Sequence, residues 1–144
     1  MEIQGYYLPD DLYYEENHFW VKEEDGLLVM GMDDFARKMA GEIVYIQLPD
    51  EGKIIKAGKK FAKMESGKWL GKVFGPVNGE LVAVNEELEE NPGLINEDCY
   101  GKGWMFKIRP DDIGEMANLL HEPEEIEKWL LAEIEKYAED AEDK

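Results

Sequence analysis

Residues 61–74 read Phe61-Ala62-Lys63-Met64-Glu65-Ser66-Gly67-Lys68-Trp69-Leu70-Gly71-Lys72-Val73-Phe74. Two runs rich in apolar and aromatic residues bracket Gly67-Lys68, the pattern of a β-hairpin with a two-residue loop. Gly at the first central position suits a type II′ turn. That register sets Phe61 opposite Phe74 and Ala62 opposite Val73, both favourable pairs, and Lys63 opposite Lys72, an unfavourable one. In this register or a shifted one, Lys68 projects from the hairpin tip.

Outward from the hairpin, the chain from His18 to Arg109 breaks into short strand-like runs at about ten-residue spacing, separated by Gly, Asn and Pro. His18–Lys22 and Leu27–Met32 flank an acidic turn, Glu23–Gly26. Asp33 or Asp34 can cap a short helix through Phe35, Ala36 and Met39 that ends at Gly41. Asn78-Gly79 has the composition of a type I′ turn. Gly41-Glu42-Ile43-Val44 recurs as Gly79-Glu80-Leu81-Val82, an echo that two related half-domains would produce. The expected fold is therefore mainly β, a flattened antiparallel barrel or sandwich with one short internal helix. Near the C-terminus Ile126, Trp129, Leu130, Ile134 and Tyr137 fall on one helical stripe. Pro123, Glu124 and Glu125 suit that helix's first turn. The expected organisation is a body over residues 1–110, with an acidic helix in 111–144 packed on it and fraying beyond Ala138.

The 144 residues include 34 carboxylates against 16 basic side chains, a net charge of −18. Such a chain repels phosphate backbones and anionic lipid, so nucleic acid and membrane are poor partners. From Asp111 onward there are thirteen carboxylates and three lysines, a solvated face or a surface for a basic partner. No apolar run spans a bilayer, and the first residues lack the basic start and apolar core of a secretion signal. A cytoplasmic protein is expected. Cys99 is the single cysteine, which permits no internal disulfide and no thiolate cluster, and its neighbours offer no cation. His18 and His121 belong to no metal-ligand spacing. Phosphate-binding loops, nucleophile elbows and catalytic pairings are all missing, so any reactive group is expected to come from a cofactor.

A lysine on a hairpin tip is ordinarily a solvated turn residue. Here Glu65-Ser66-Gly67-Lys68-Trp69 resembles the Glu-Ser-Val-Lys-Ala lipoylation motif of glycine cleavage system H proteins. His18-Phe19-Trp20 resembles the family's His-Glu-Trp, and Gly31-Met32-Asp33-Asp34-Phe35-Ala36 its Gly-Ile-Thr-Asp-Phe-Ala. Gly41-Glu42-Ile43-Val44, Leu48-Pro49, Gly52, Pro76, Gly79-Glu80 and Asn85 follow in order. Asn91-Pro92, Leu94-Ile95-Asn96 and Gly101-Lys102-Gly103-Trp104 complete a similarity over roughly residues 6–110. Biotinyl relatives flank their lysine with Met on both sides. Gly67 and Trp69 stand there instead, which speaks against biotin.

The resemblance implies a non-catalytic lipoyl carrier with lipoate on Lys68, and Glu65, Ser66 and Gly67 as turn and ligase-recognition residues. It implies a lipoyl ligase or transferase as one partner. The others are the P, T and L proteins of glycine cleavage: decarboxylase, aminomethyltransferase and dihydrolipoyl dehydrogenase. A cleft near the arm is expected to include His18, Phe19, Trp20, Trp69 and Lys72, and the carrier is expected to be a monomer. Four positions depart from the family pattern. Gly67 replaces Val, Trp69 replaces Ala, Phe19 replaces Glu, and Lys72 stands where an acid is common. If Phe19 and Lys72 line the cleft, they favour a neutral or anionic cargo over a cationic amine. That suits an alternative role, an H-like lipoate-binding protein of cytoplasmic sulfur oxidation working with a heterodisulfide-reductase-like complex. A third possibility is an interaction module with Lys68 unmodified.

Overall fold

The structure, a computed structural model, describes residues 1–142. In chain order the strands are β1 (Glu2–Ile3), β2 (Tyr6–Tyr7), β3 (Tyr13–Glu15), β4 (Phe19–Glu24), β5 (Leu27–Met32), β6 (Ile43–Ile46), β7 (Ile54–Ile55), β8 (Lys60–Ser66), β9 (Leu70–Phe74), β10 (Gly79–Val84) and β11 (Phe106–Pro110). The helices are α1 (Asp34–Ala40), α2 (Glu87–Glu90), α3 (Leu94–Glu97) and α4 (Pro123–Glu142), with a 3₁₀ segment at Ile113–Asn118.

β3-β4-β5-β11-β10-β7 form a six-stranded antiparallel sheet, β6-β8-β9 a three-stranded one, and β1-β2 a small ribbon. The two larger sheets remain open and face each other, so the architecture is a sandwich and not a closed barrel. Their shared core holds Leu28, Met30, Ile55, Leu81 and Ile108 from one sheet and Ile43, Ala62, Met64 and Val73 from the other, all buried. Phe61 meets Phe106 across it edge to face, with ring centroids 5.0 Å apart.

A second buried cluster lies on the other face of the large sheet. Leu8, Leu12, Tyr14, Trp20 and Val29 pack there with Ile126 and Leu130 of α4. The helical stripe of the sequence therefore does face the β body. α4 runs through Glu142, and the last two residues of the expected tail lie outside the described residues.

Several local expectations hold in detail. Asp25 and Gly26 both have positive φ, 52° and 84°, and close β4–β5 as a two-residue turn. Asp33 caps α1, its side chain accepting from the Ala36 amide, and Gly41 ends it with φ 78°. Asn78-Gly79 differs: neither residue has positive φ, so there is no type I′ turn. Gly79 instead opens β10, where a Cβ would stand 2.3 Å from the Arg109 carbonyl oxygen. Asn78 Oδ1 accepts from the Ala57 amide at 2.9 Å. The two copies of the sequence echo thus open strands in different sheets, their glycines serving different needs.

Candidate functional site

β8 and β9 form the hairpin that the sequence signals, with Ala62 opposite Val73 and Lys63 opposite Lys72. A bulge between Lys60 and Ala62 sets Lys60, not Phe61, against Phe74. That extra residue turns Phe61 inward onto Phe106. The tip also differs from the type II′ expectation, because Gly67 lacks positive φ. One backbone bond closes the tip, from the Ser66 amide to the Trp69 carbonyl at 2.9 Å. Ser66 Oγ accepts from the Lys68 amide at 3.3 Å, so a nearly buried hydroxyl does what turn geometry alone was expected to do.

Lys68 is exposed, and its stem lies over Gly41, where a Cβ would stand 3.0 Å from Lys68 Cε. Any side chain at 41 would meet that stem. Gly41 is held from below by Asn96, whose Nδ2 donates to the Gly41 carbonyl at 2.8 Å while its Oδ1 accepts from the Ile43 amide at 2.8 Å. Arg37 in turn donates to the Asn96 carbonyl. The sequence places Asn96 in a matching segment, but nothing in its spacing reveals that it supports the β8–β9 hairpin.

Beside the hairpin lies a cleft of about 200 Å³. His18, Phe19, Trp69 and Lys72 all line it. Met32, Phe35, Met39 and Tyr137 are among the other residues of its walls, none of them anticipated. Ala40 borders both this cleft and the shallow hollow that holds Lys68 and Gly41. Trp20, expected at the arm, is elsewhere. Neighbours along a strand point to opposite faces, so Phe19 faces the cleft and Trp20 the second core. Its indole Nε1 donates to the Cys99 carbonyl at 2.7 Å, and its ring covers Gly31.

His18 sits at φ 75°, the left-handed third position of the Glu16-Asn17-His18 loop between β3 and β4. A non-glycine residue there costs on the order of 1 kcal/mol or more, so its ring contacts must hold it. Nδ1 lies 3.2 Å from Asp33 Oδ2, and the ring stacks on Trp129 at 4.7 Å. Nε2 stands 3.4 Å from Glu133 Oε1, close but without hydrogen-bonding geometry. α4 therefore reaches the cleft through Tyr137, which packs on Phe35 at 5.5 Å, while Trp129 and Glu133 flank the His18 ring.

Two buried ionisable groups support these elements. Burial works to raise the Asp34 carboxyl, but hydrogen bonds from the Tyr7 amide, Arg37 and Lys38 together outweigh it and hold the group below the usual range. Burial pushes the Cys99 thiol up to about 12, only partly offset by Arg37.

The sequence model of the glycine cleavage H-protein family matches residues 12–133. A glycine cleavage system H protein of Carboxydothermus hydrogenoformans is 44% identical over 128 residues, covering 89% of this chain and 98% of that protein. One from Aeromonas salmonicida is 45% identical over 115 residues, covering 79% and 89%. Among solved structures, a glycine cleavage system H protein from Mycobacterium marinum superposes with a TM-score of 0.73 at 31% identity, covering 81% of this chain and 94% of that one.

Proposed function

Since the chain belongs to the glycine cleavage H-protein family, whose members are carriers with covalently attached lipoate and not catalysts, we propose that Lys68 bears the lipoyl arm and that its cargo is the aminomethyl group of glycine cleavage. The arm then visits the decarboxylase, the aminomethyltransferase and the dihydrolipoyl dehydrogenase in turn. The observation that carries this reading is the placement of Lys68: exposed on a braced hairpin tip, with its hollow bordering an apolar-walled cleft at Ala40.

The residues present fit the group. Lys68 Nζ is open to an acylating enzyme, and the cleft beside it is lined mainly by apolar and aromatic side chains. When bound, lipoate supplies a dithiolane whose sulfurs carry the cargo by thiol–disulfide chemistry, so no protein thiol is needed. The protein's part is positional. Ser66 fixes the Lys68 backbone, Gly41 leaves room for its stem, and Asn96 holds Gly41 in place. A tether of this kind presents its end to each partner at an effective concentration on the order of millimolar. In this reading residues 1–110 form the carrier body, and the helix in 111–144 contributes a wall of the cleft.

One observation favours a second cargo. Phe19 and Lys72 do both line the cleft, a lining that suits a neutral or anionic cargo such as the sulfur of the alternative role. The named relatives support glycine cleavage. Intact-mass spectra of the lipoylated protein, before and after incubation with glycine and a glycine decarboxylase, separate the two. A lipoyl adduct that gains an aminomethyl group supports glycine cleavage. An adduct that stays unloaded while a control H protein loads favours sulfur transfer. No adduct on Lys68 refutes the carrier reading.

A further inference from the structure

Between Lys53 and Lys72 the chain carries seven of its sixteen basic residues and a single carboxylate, Glu65. In a protein of net charge −18 this is a strong local reversal of sign. All seven lysines are exposed, and among the described residues none of them forms an ion pair. Lys63 and Lys72 stand directly opposite each other across β8 and β9, an arrangement that costs stability. Lys60 borders the same surface depression. On that outer face the next row is Tyr45, Glu65 and Leu70, in register across β6, β8 and β9. Leu70 is 77% exposed and Tyr45 43%. Exposed apolar side chains, Leu70 and Tyr45, thus stand on either side of Glu65 and next to Lys60, Lys63 and Lys72, a mixture of apolar and charged groups found at protein-binding surfaces.

We propose that this outer face of the hairpin sheet is the docking surface for the enzyme that acylates Lys68, and that this enzyme meets it with a carboxylate-rich surface. The inference rests on Lys68 being the lipoylated residue. Partners that work on the finished arm react with its sulfurs, a lipoyl chain's length from Lys68 Nζ. The acylating enzyme must bring an activated lipoyl carbonyl to bonding distance of Lys68 Nζ, so it must cover the strands that flank the tip. In that step the amide forms between Nζ and the carbonyl carbon of a lipoyl adenylate. The carbonyl–oxygen bond to phosphate breaks, AMP departs, and the lysine ammonium loses two protons to solvent. Complementary charge matters here because the carrier's overall charge repels an acidic enzyme at long range, whereas a local basic face steers it to the correct strand pair within a Debye length.

The test is the steady-state rate of lipoylation of the full chain by its lipoyl ligase with ATP and lipoate, read by intact mass. The parent is compared with Lys60→Glu/Lys63→Glu and with Lys128→Glu on α4 as a control. Lys63→Glu converts a like-charge cross-strand pair into an ion pair with Lys72, so the variant is expected to fold at least as well as the parent, which a melting curve checks. The expected result is a tenfold or larger fall in kcat/KM for the double variant, carried by KM with kcat unchanged. The control should match the parent, and the parent's own kcat/KM should fall as salt rises. An unchanged or higher kcat/KM for the double variant overturns the docking surface, the higher value pointing to a basic enzyme drawn to the chain's overall charge. No adduct on the parent under any condition overturns the Lys68 reading, and this proposal with it.

Discussion

Gly41 and Lys68, twenty-seven residues apart, share one small volume: the lysine stem lies where a side chain at 41 would be, with Cε 3.0 Å from that Cβ position. Gly41 also has φ 78°, a conformation that costs an L residue about 1–3 kcal/mol. Gly41→Ala should therefore lower stability by about that amount. It should also slow acylation of Lys68, because the stem is displaced from its hollow. Chemical denaturation checks the first effect and the rate of lipoyl adduct formation the second. A variant modified at the parental rate would show that the hollow does not position the lysine.

At the neighbouring glycine the opposite outcome is expected. Gly67 has no positive φ, and a Cβ there meets nothing within 4 Å. Gly67→Val, which restores the residue of the family motif, should leave the melting temperature within a degree or two and Lys68 still open to modification. A large loss of stability would mean that the tip adopts a left-handed turn in solution.

Trp69 lies flat over Gly71, with its ring atoms within 1.8–2.3 Å of where a Cβ would stand. Gly71→Ala must therefore move the indole off the strand and out of the cleft wall. The expected cost is about 1–3 kcal/mol, as for other overpacked sites. In a Trp69→Ala background the same change should cost far less, giving a coupling energy of about 1 kcal/mol or more in a double-mutant cycle. Additive losses would show that the ring is not held there.

The hairpin was legible because its two strands carry β-forming residues around a Gly-Lys tip, and α1 because Asp33 and Gly41 are chemically specific caps. Such signals are local. The bulge at Phe61 was not legible, since it follows from Phe61 packing on Phe106 some 45 residues away. Asn78-Gly79 misled for a related reason: Gly79 answers the close approach of the Arg109 backbone, not a turn. Matched motifs brought His18, Phe19, Trp69 and Lys72 to one cleft. They placed Trp20 there too, because a tripeptide match carries no information about strand alternation. Tyr137 joins the cleft only through the docking of α4, and the stripe that identified that helix says which face is buried, not what lies under its end.

Asp34 accepts from the Tyr7 amide at 2.8 Å and pairs with Lys38 at 3.2 Å and with Arg37, tying α1 to the N-terminal ribbon. Its carboxyl is held below the ordinary value of 3.8. A carboxyl depressed in the folded state contributes stability that is present above its unfolded value and lost as pH falls through its folded value. Asp34→Asn should therefore cost about 1–3 kcal/mol at neutral pH. The difference from wild type should stay level down to about pH 4 and shrink below it. Glu15, raised chiefly by burial, acts in the opposite sense, but it is present in both proteins and cancels from the difference. Denaturation curves at several pH values check this, and a gap that persists unchanged well below pH 3 would contradict it.

A carrier that works through a dithiolane gains from having no competing thiol, and Cys99 meets that need by burial. It is 2% exposed and its thiol is pushed up to about 12, chiefly by desolvation. At pH 8 only about one molecule in ten thousand then carries the thiolate, the form that attacks disulfides. Because the shift is upward, the neutral thiol contributes its stability below its ordinary value of 9.0 and loses it as pH rises from there towards about 12. A disulfide reagent such as DTNB should label none of the native protein over an hour at pH 8, and one thiol per chain in denaturant. Lipoylated protein held under the same conditions should form no mixed disulfide between the arm and Cys99. Rapid labelling of the native protein would place the thiol within reach of solvent, and the arm would then need another source of protection from its own chain.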